Sequence, residues 1–154
     1  MELLLAKLED LDELYSVVRN TIRKVYPKYY ADGVVEFFCK LHSRENILSD
    51  LKSKKVFYIR VSERIVATGT FSENHITRVF VLPEYQKKGF GSFIFDTFER
   101  DILLRYECVV IDASLAACKM YEKRNYKTVC HETVECENGD ILVYEVMEKR
   151  RASC

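Results

Sequence analysis

The sequence has few of the features that mark membrane, secreted or nucleic-acid-binding proteins. Its 24 basic and 24 acidic residues cancel, so no overall field would attract nucleic acid or acidic lipid. Charges interrupt the apolar start MELLLAKLED too early for a signal peptide, and no run approaches the length of a membrane span. We therefore predict a cytoplasmic protein with neither nucleic acid nor membrane as a partner.

The six cysteines are scattered along the chain and include no CxxC pair. The spacing that metal ligands require is therefore missing. Because no secretion signal accompanies them, the cysteines do not indicate a disulfide framework either. We expect reduced thiols and no bound metal.

Glycine and proline are also scarce, with five and two residues in 154. Three of these seven residues, Pro83, Gly89 and Gly91, fall in one stretch, VFVLPEYQKKGFGS, from Val79 to Ser92. A β-rich run ends there at the proline, and the glycines precede a segment with helical periodicity. The stretch predicts a strand, a tight turn and the start of a helix.

The order of periodic segments predicts one mixed α/β domain over residues 1–154. A short strand at 2–7 precedes a helix that Asp10 caps and Pro27 closes, and two more helices follow at about 34–41 and 44–51. The remaining elements are a hairpin of KVFYIRV and RIVATGTF, a strand HITRVFVL, a helix at 92–105, a buried strand CVVID, a helix at 114–124 and a hairpin around Asn138-Gly139.

The turn before the helix at 92–105 has the chemistry of an anion site. The first turn of a helix has N–H groups without internal partners, and the helix dipole is positive at that end. Gly89 and Gly91 let a ligand approach the backbone, Lys87 and Lys88 add positive charge, and Gln86 can turn an amide toward the same place. A pyrophosphate fits this combination, although a plain strand-to-helix turn would show the same residues. The Walker A pattern and the third glycine of a dinucleotide fingerprint are missing.

Two motifs give the sequence a family resemblance. VFVLPEYQKKGFGS resembles motif A of the GCN5-related N-acetyltransferases, Q/R-x-x-G-x-G/A after a strand that ends in V-x-P. Further along, SLAACKMYEKRNY resembles the second signature of that family, N-x-x-A-x-x-h-Y-E-K-x-G-F. The order of strands and helices is also similar, so the resemblance covers essentially the whole chain.

The resemblance implies a strongly twisted mixed sheet of about seven strands flanked by about four helices, with acetyl-coenzyme A in the split between strands 4 and 5. The pantetheine would pair like an added strand with the backbone around Phe80 and Val81, and the pyrophosphate would lie on the turn. The implied cofactor-binding residues are Phe80, Val81, Gln86, Lys87, Lys88, Gly89, Phe90, Gly91, Ser92, Ser114, Ala117 and Tyr121. Many relatives dimerise, so a homodimer is a further expectation.

The sequence departs from the second signature at two positions. Ser114 stands at the asparagine position and can still hydrogen-bond a pantetheine amide. Serine also suits a helix N-cap, so we predict that Ser114 begins the next helix. Asn125 stands at the glycine position, where asparagine is the next-best residue for a left-handed conformation. Both departures are compatible with cofactor binding.

The resemblance also implies the chemistry, in which an amine attacks the thioester directly. The Val81 N–H would donate to the developing oxyanion. Tyr121 matches the motif tyrosine, which often serves the leaving thiolate. Because a free tyrosine has a pKa of about 10 and a thiol about 8.5, full proton transfer is uphill by roughly 2 kcal/mol. We expect a hydrogen bond with late transfer, and the alternative is that Tyr121 only packs against the pantetheine.

The candidate general base lies on the strand that leads into motif A. His75 occupies the position at which some relatives have a glutamate, and a histidine ring exchanges a proton near neutral pH. Strand alternation places His75, Thr77, Val79 and Val81 on one face, and Glu73 is a second candidate on that face. An ordinary polar residue at the start of a strand would look the same.

The sequence does not identify the acceptor. The stretch VYPKYYADG, with Tyr26, Tyr29, Tyr30 and Asp32, suits either an aromatic pocket for an amine or ordinary packing. A small-molecule amine, a peptide, a protein N-terminus and a lysine side chain are all compatible with it. Two other classes of protein also fit the turn, namely a non-catalytic acyl-coenzyme A sensor and a nucleotide-binding protein.

Overall fold

A computed structural model describes residues 1–153 as one seven-stranded mixed sheet with helices on both faces. The helices are α1 Leu11–Val25, α2 Asp32–Leu41, α3 Arg44–Lys52, α4 Phe90–Leu103 and α5 Cys118–Lys123. The strands are β1 Leu4–Leu5, β2 Val56–Val61, β3 Arg64–Ser72, β4 His75–Val81, β5 Cys108–Ser114, β6 Lys127–Glu135 and β7 Ile141–Arg150. Their order across the sheet is β1-β2-β3-β4-β5-β7-β6. The predicted fold class is confirmed.

The sheet is split between β4 and β5. These two strands run parallel and pair at one register position, His75 opposite Val110. Beyond that position β4 continues along β3, whereas β5 continues along β7 as far as Ser114 opposite Tyr144. The facing edges of β4 and β5 are therefore left unpaired toward their C-terminal ends, which confirms the predicted split.

Each face of the sheet has its own apolar core. On one face, Leu14 and Ile22 of α1 are buried together with residues of α2, α3 and β4. On the other face, Ile94 and Phe98 of α4 pack against the central strands. Full burial of such side chains stabilises the fold by about 1.5–3 kcal/mol each. This packing fixes the N-terminus of α4 at the end of β4. Within residues 1–153, no helix is long and apolar enough to cross a membrane.

The first helix ends near Pro27 as the sequence predicts, since a short 3₁₀ turn, Tyr26–Lys28, follows α1. Its start is capped differently. The Asp10 carboxylate accepts the Lys7 N–H at 2.8 Å and makes no capping bond to α1. Asp10 therefore fixes the turn that precedes the helix.

The start of α4 and the end of α5 depend on left-handed residues. Gly89, with φ 92°, is the N-cap of α4, so the helix begins at Phe90 and not at the predicted Ser92. Asn125, which follows α5, has φ 72°. The prediction that asparagine replaces glycine in a left-handed position is confirmed.

The predicted helix start at Ser114 is wrong. Ser114 belongs to β5 because it still pairs with Tyr144 of β7. Its carbonyl then accepts the Ala117 N–H at 2.9 Å in a turn, and α5 begins only at Cys118. The Ser114 hydroxyl is therefore not a helix cap and lies at the edge of the split.

Candidate active site

The turn from β4 to α4 presents backbone N–H groups at a helix N-terminus. The first N–H that finds a helical partner is that of Phe93, which donates to the Gly89 carbonyl at 3.0 Å. The N–H groups of Phe90, Gly91 and Ser92 precede it and have no partner within the helix. They lie at the positive end of the α4 dipole, which is the geometry that an anion requires.

The side chains of the same turn are only partly directed at that anion position. Lys88 Nζ lies 5.3 Å from the centre of the Tyr85 ring, and Lys87 has a left-handed φ of 61°. Contrary to the prediction, the Gln86 side chain does not turn toward the helix N-terminus. Its Nε2 donates to the Val81 carbonyl at 3.0 Å, so Gln86 fastens the turn to the end of β4.

The backbone of Val81 faces the split. The neighbouring Leu82 N–H donates to the Val66 carbonyl of β3 at 2.9 Å. Because antiparallel strands alternate the direction of their backbone groups, the Val81 N–H and carbonyl turn toward the opposite edge. The Val81 carbonyl accordingly accepts side-chain donors, Gln86 at 3.0 Å and Thr21 at 3.4 Å. The Val81 N–H is left at the open edge of β4.

A cavity of about 110 Å³ lies in the split, between aromatic side chains from both faces of the sheet. Tyr26 and Phe80 line it from the α1 and α2 side, and Phe95 and Tyr121 from the α4 and α5 side. The Tyr121 ring packs edge-on against Phe95, with centroids 5.5 Å apart. Burial raises the pKa of Tyr121 to about 12, and the nearby Tyr30 adds to the shift. Tyr121 therefore stays protonated at all physiological pH values.

Ser114 lies across the split from β4. Its hydroxyl is hydrogen-bonded to the Tyr30 hydroxyl, which reaches it from the loop between α1 and α2. Ala117 is at the N-cap of α5, one turn before Tyr121. The structure thus brings Ser114, Ala117 and Tyr121 to the β5 side of the split, opposite the Val81 edge.

A β-bulge interrupts the alternation of β4. Thr70 of β3 is opposite Arg78, but the next residue, Phe71, is opposite Ile76. Thr77 is therefore an extra residue on β4 without a partner in that register. The bulge reverses the direction of the side chains on its N-terminal side.

The prediction that one face of β4 carries all the candidate residues is therefore wrong. Ile76 and Val79 are three positions apart, yet both belong to the core beneath α4. His75 precedes Ile76 and so points to the opposite face, where it lines a cavity with residues of α2 and α3. Strand alternation predicts one face for His75, Thr77, Val79 and Val81, but His75 and Val79 lie on opposite faces.

His75 meets a carboxylate at the point where β4 and β5 part. Its Nε2 lies 3.3 Å from Asp112 Oδ2, with the two side chains about one third and one half exposed. Glu73 does not join them. It is exposed in the β3–β4 turn with φ 54°, and it lines a different cavity with Tyr106 and other residues after α4. Of the two predicted bases, only His75 lies where β4 and β5 part.

A larger cavity, of about 420 Å³, adjoins the split on the α2 and α3 side. His42, Arg78 and Asp112 line both this cavity and the smaller one. Arg78 is 7% exposed and donates from Nε to His42 Nδ1 at 3.1 Å and from Nη2 to Asp50 Oδ2 at 3.0 Å. Burial lowers the pKa of Arg78, while the Asp50 carboxylate raises it.

Sequence reasoning missed Asp112 and the group around Arg78. No motif contains these residues, and the chain brings them together only by folding. One signal was present, because Arg78 interrupts the apolar strand HITRVFVL and a buried strand accepts a charge only with partners. Among residues 1–153, no group of three or more His, Cys, Asp or Glu side chains could hold a metal ion.

The aromatic loop after α1 serves both roles that the sequence allowed. Tyr26 and Tyr30 pack around Phe38, with centroids 5.0 and 5.5 Å from its ring, and Tyr26 also lines the split. Tyr29 is exposed, and Asp32 lies in a separate groove beside the β6–β7 hairpin. The loop therefore contributes aromatic walls to the site without the predicted carboxylate.

Comparison with known proteins gives a consistent result. Residues 25–149 match the sequence profile described as the acetyltransferase (GNAT) domain. Among curated proteins, no sequence matches the chain.

Solved structures share the fold over nearly the whole chain. A GCN5-related N-acetyltransferase from Rhodopseudomonas palustris superposes with a TM-score of 0.86, at 20% identity over 97% of this chain and 95% of that one. The PaiA N-acetyltransferase from Thermoplasma acidophilum, in complex with coenzyme A, gives 0.72 at 17% identity over 97% and 98%. The ribosomal-protein-S18-alanine N-acetyltransferase from Escherichia coli gives 0.71 at 13% identity over 99% and 95%.

Proposed function

The chain belongs to the GNAT acetyltransferase family, and on that premise we propose that it transfers the acetyl group of acetyl-coenzyme A directly to a primary amine of a small molecule or peptide. The observation that carries the proposal is the unpaired edge of β4. The Val81 N–H lies at this edge, one residue after Phe80, which lines the cavity in the split opposite Tyr121, and the free N–H groups of α4 follow along the chain. A thioester on a pantetheine arm needs these features in this order.

The residues of the split fit a coenzyme A ligand. The pyrophosphate would lie on the N–H groups of Phe90, Gly91 and Ser92 beside the lysines of the turn. An added Cβ at Gly91 would lie 3.7 Å from the Val81 side chain, so the protein itself leaves room there. The pantetheine would pair with the free edge at Val81 and reach Ser114 across the split.

Two groups of this chain would act on the reacting thioester that acetyl-coenzyme A supplies. The Val81 N–H would donate to the oxygen that becomes negative when the amine attacks. The Tyr121 hydroxyl would donate a hydrogen bond to the leaving sulfur. With a pKa of about 12 against about 8.5 for a thiol, full proton transfer from Tyr121 is uphill by roughly 5 kcal/mol. Tyr121 therefore acts as a hydrogen-bond donor and not as the acid.

His75 is the proposed general base. Its Nε2 is beside Asp112, which leaves Nδ1 for the proton of the attacking amine. A carboxylate at 3.3 Å attracts the positive charge that the imidazole gains, so Asp112 would position and stabilise the charged ring. Glu73 has no part in this proposal because it faces the end of α4.

A direct assay tests the proposal. The protein is incubated with acetyl-coenzyme A and a panel of primary amines, thiol release is followed, and the acetylated product is identified by mass spectrometry. We expect turnover that depends on both the protein and an amine. Saturable binding of coenzyme A without turnover on any amine would contradict catalysis and indicate an acyl-coenzyme A-binding module.

A further inference from the structure

The tautomer of His42 is fixed by its neighbour. Arg78 Nε always carries a hydrogen and donates it to His42 Nδ1 at 3.1 Å. Nδ1 therefore holds a lone pair, and the neutral ring must carry its hydrogen on Nε2. Since Nδ1 is occupied and Nε2 is protonated, His42 has no free lone pair and cannot be a general base. It can only donate.

The donor is open to the cavities. His42 lines both the cavity in the split and the larger one beside it. Among residues 1–153, every side-chain nitrogen or oxygen that is fully buried has a hydrogen-bond partner. Nε2 of His42 has no such partner, so this atom is not fully buried. Nε2 must therefore reach open space, and the open space against this ring is that of the two cavities.

The ring is held rigidly. It stacks on Phe38 with an interplanar angle of 9° and meets Phe80 edge-on with centroids 5.2 Å apart. Arg78 is itself fixed, because Thr70 and Asp50 accept from its other nitrogens at 3.1 and 3.0 Å. Burial, with a smaller effect from the positive Arg78, lowers the pKa of His42 to about 3. The ring thus presents the same N–H at any pH at which an amine acceptor reacts.

We propose that His42 is a specificity-determining residue that selects acceptors in which a carbonyl or carboxylate oxygen follows the reacting amine, that is, the α-aminoacyl group of an amino acid or of a peptide N-terminus. The inference rests on the proposed function. His75 and Asp112 line the same cavity as His42 and would take the amine end, so the oxygen of the acceptor would accept from Nε2. An alkylamine or polyamine has no such oxygen and would leave a desolvated donor unpaired.

Acceptor competition tests this inference. For the wild type we expect kcat/KM, calculated per unprotonated amine, to be about tenfold or more higher for an amino acid, its amide or a dipeptide than for the matched alkylamine. This factor is the contribution of one well-placed hydrogen bond. These three acceptors distinguish a small-molecule source from a peptide source. His42→Phe keeps the ring but not the donor, so it should bring the ratio close to one. His42→Gln, with one acceptor for Arg78 and one donor, should restore most of it.

A matched control and a spectroscopic readout separate the possible failures. His131→Phe changes an exposed histidine that lines neither cavity and should leave the ratio unchanged. Nitrogen chemical shifts of His42 should report Nδ1 unprotonated and Nε2 protonated at pH 7, independently of activity. A wild-type ratio in His42→Phe, a preference for polyamines, or a protonated Nδ1 would overturn the inference. Absence of acetylation of every amine would instead overturn the proposed function.

Discussion

The two ends of β4 are built in different ways. At its C-terminal end, the groups proposed to bind the pyrophosphate and the thioester oxygen follow one another along the chain from Val81 to Ser92, and only Ser114 and Tyr121 are added from across the split. At its N-terminal end, the groups proposed to act on the acceptor come from different elements, with His42 after α2, His75 on β4 and Asp112 on β5. Most of the proposed cofactor site is therefore a local property of the chain, whereas acceptor recognition depends on the tertiary fold. Variants at the two ends should accordingly fail in different ways.

The largest effect should come from the acceptor end. His75→Gln removes the proposed base, so we expect kcat to fall by roughly 10²–10⁴-fold while the Kd of coenzyme A stays unchanged. Rates come from thiol release and the Kd from calorimetry. His131→Gln is the matched control, because His131 also has a carboxylate partner, Glu145 at 2.9 Å, but lies outside both cavities. Full activity in His75→Gln would remove His75 from the mechanism, and a weakened Kd would show that the two ends are coupled.

A second effect concerns the stability of the acceptor end in acid. The pKa of His42 is lowered from an unfolded value of about 6.5 to about 3, so below pH 6.5 the unfolded state binds one more proton. Stability is then lost as the pH falls, by up to about 1.4 kcal/mol per pH unit from this residue. Denaturant unfolding between pH 6.5 and 4.5 should show a shallower loss for His42→Gln than for the wild type. Parallel curves would mean that His42 titrates normally in the folded protein.

At the cofactor end, Gly91→Ala should separate binding from folding. Gly91 is in the first turn of α4 and has room for a methyl group, so alanine should stabilise the helix by about 0.5–1 kcal/mol. The same methyl group occupies the approach of the pyrophosphate, and we expect the Kd of coenzyme A to rise roughly tenfold, about 1.4 kcal/mol. Thermal unfolding and calorimetry measure the two effects. An unchanged Kd would show that the ligand does not reach the α4 backbone.

The smallest effect is expected where the two ends meet. Tyr121→Phe removes one hydrogen bond to the leaving sulfur, so kcat should fall by roughly five- to tenfold, about 1–1.4 kcal/mol. Because the pKa of Tyr121 is about 12, the shape of the kcat–pH profile between pH 6 and 9 should not change. A limb of the wild-type profile that disappears in Tyr121→Phe would show that the tyrosine transfers a proton in this range.

The contrast between the ends of β4 also explains what could be predicted from the sequence. Strand, turn and helix were predictable around Gly89 because periodicity and the left-handed glycine are local signals. The split was predictable only through the family resemblance, since no local pattern states that His75 and Val110 are the last paired residues.

The features that the sequence did not predict depend on pairing between distant parts of the chain. Alternation failed at Thr77 because a bulge depends on the register with β3, which neither strand shows alone. The prediction that a helix starts at Ser114 failed because Ser114 pairs with β7, although serine is a good capping residue. The partners of His42 and His75, Arg78 and Asp112, lie tens of positions away along the chain, so single-sequence reasoning had no means of joining them.

The most direct test of the account is thermal unfolding with coenzyme A, acetyl-coenzyme A, ATP and NAD as separate ligands. A ligand at about 100 times its Kd adds roughly 2.7 kcal/mol, which for a domain of this size raises Tm by roughly 5–10 °C. The account predicts that rise with the two coenzyme A ligands and none with ATP or NAD. No rise at saturating coenzyme A, or a larger rise with either nucleotide, would contradict it.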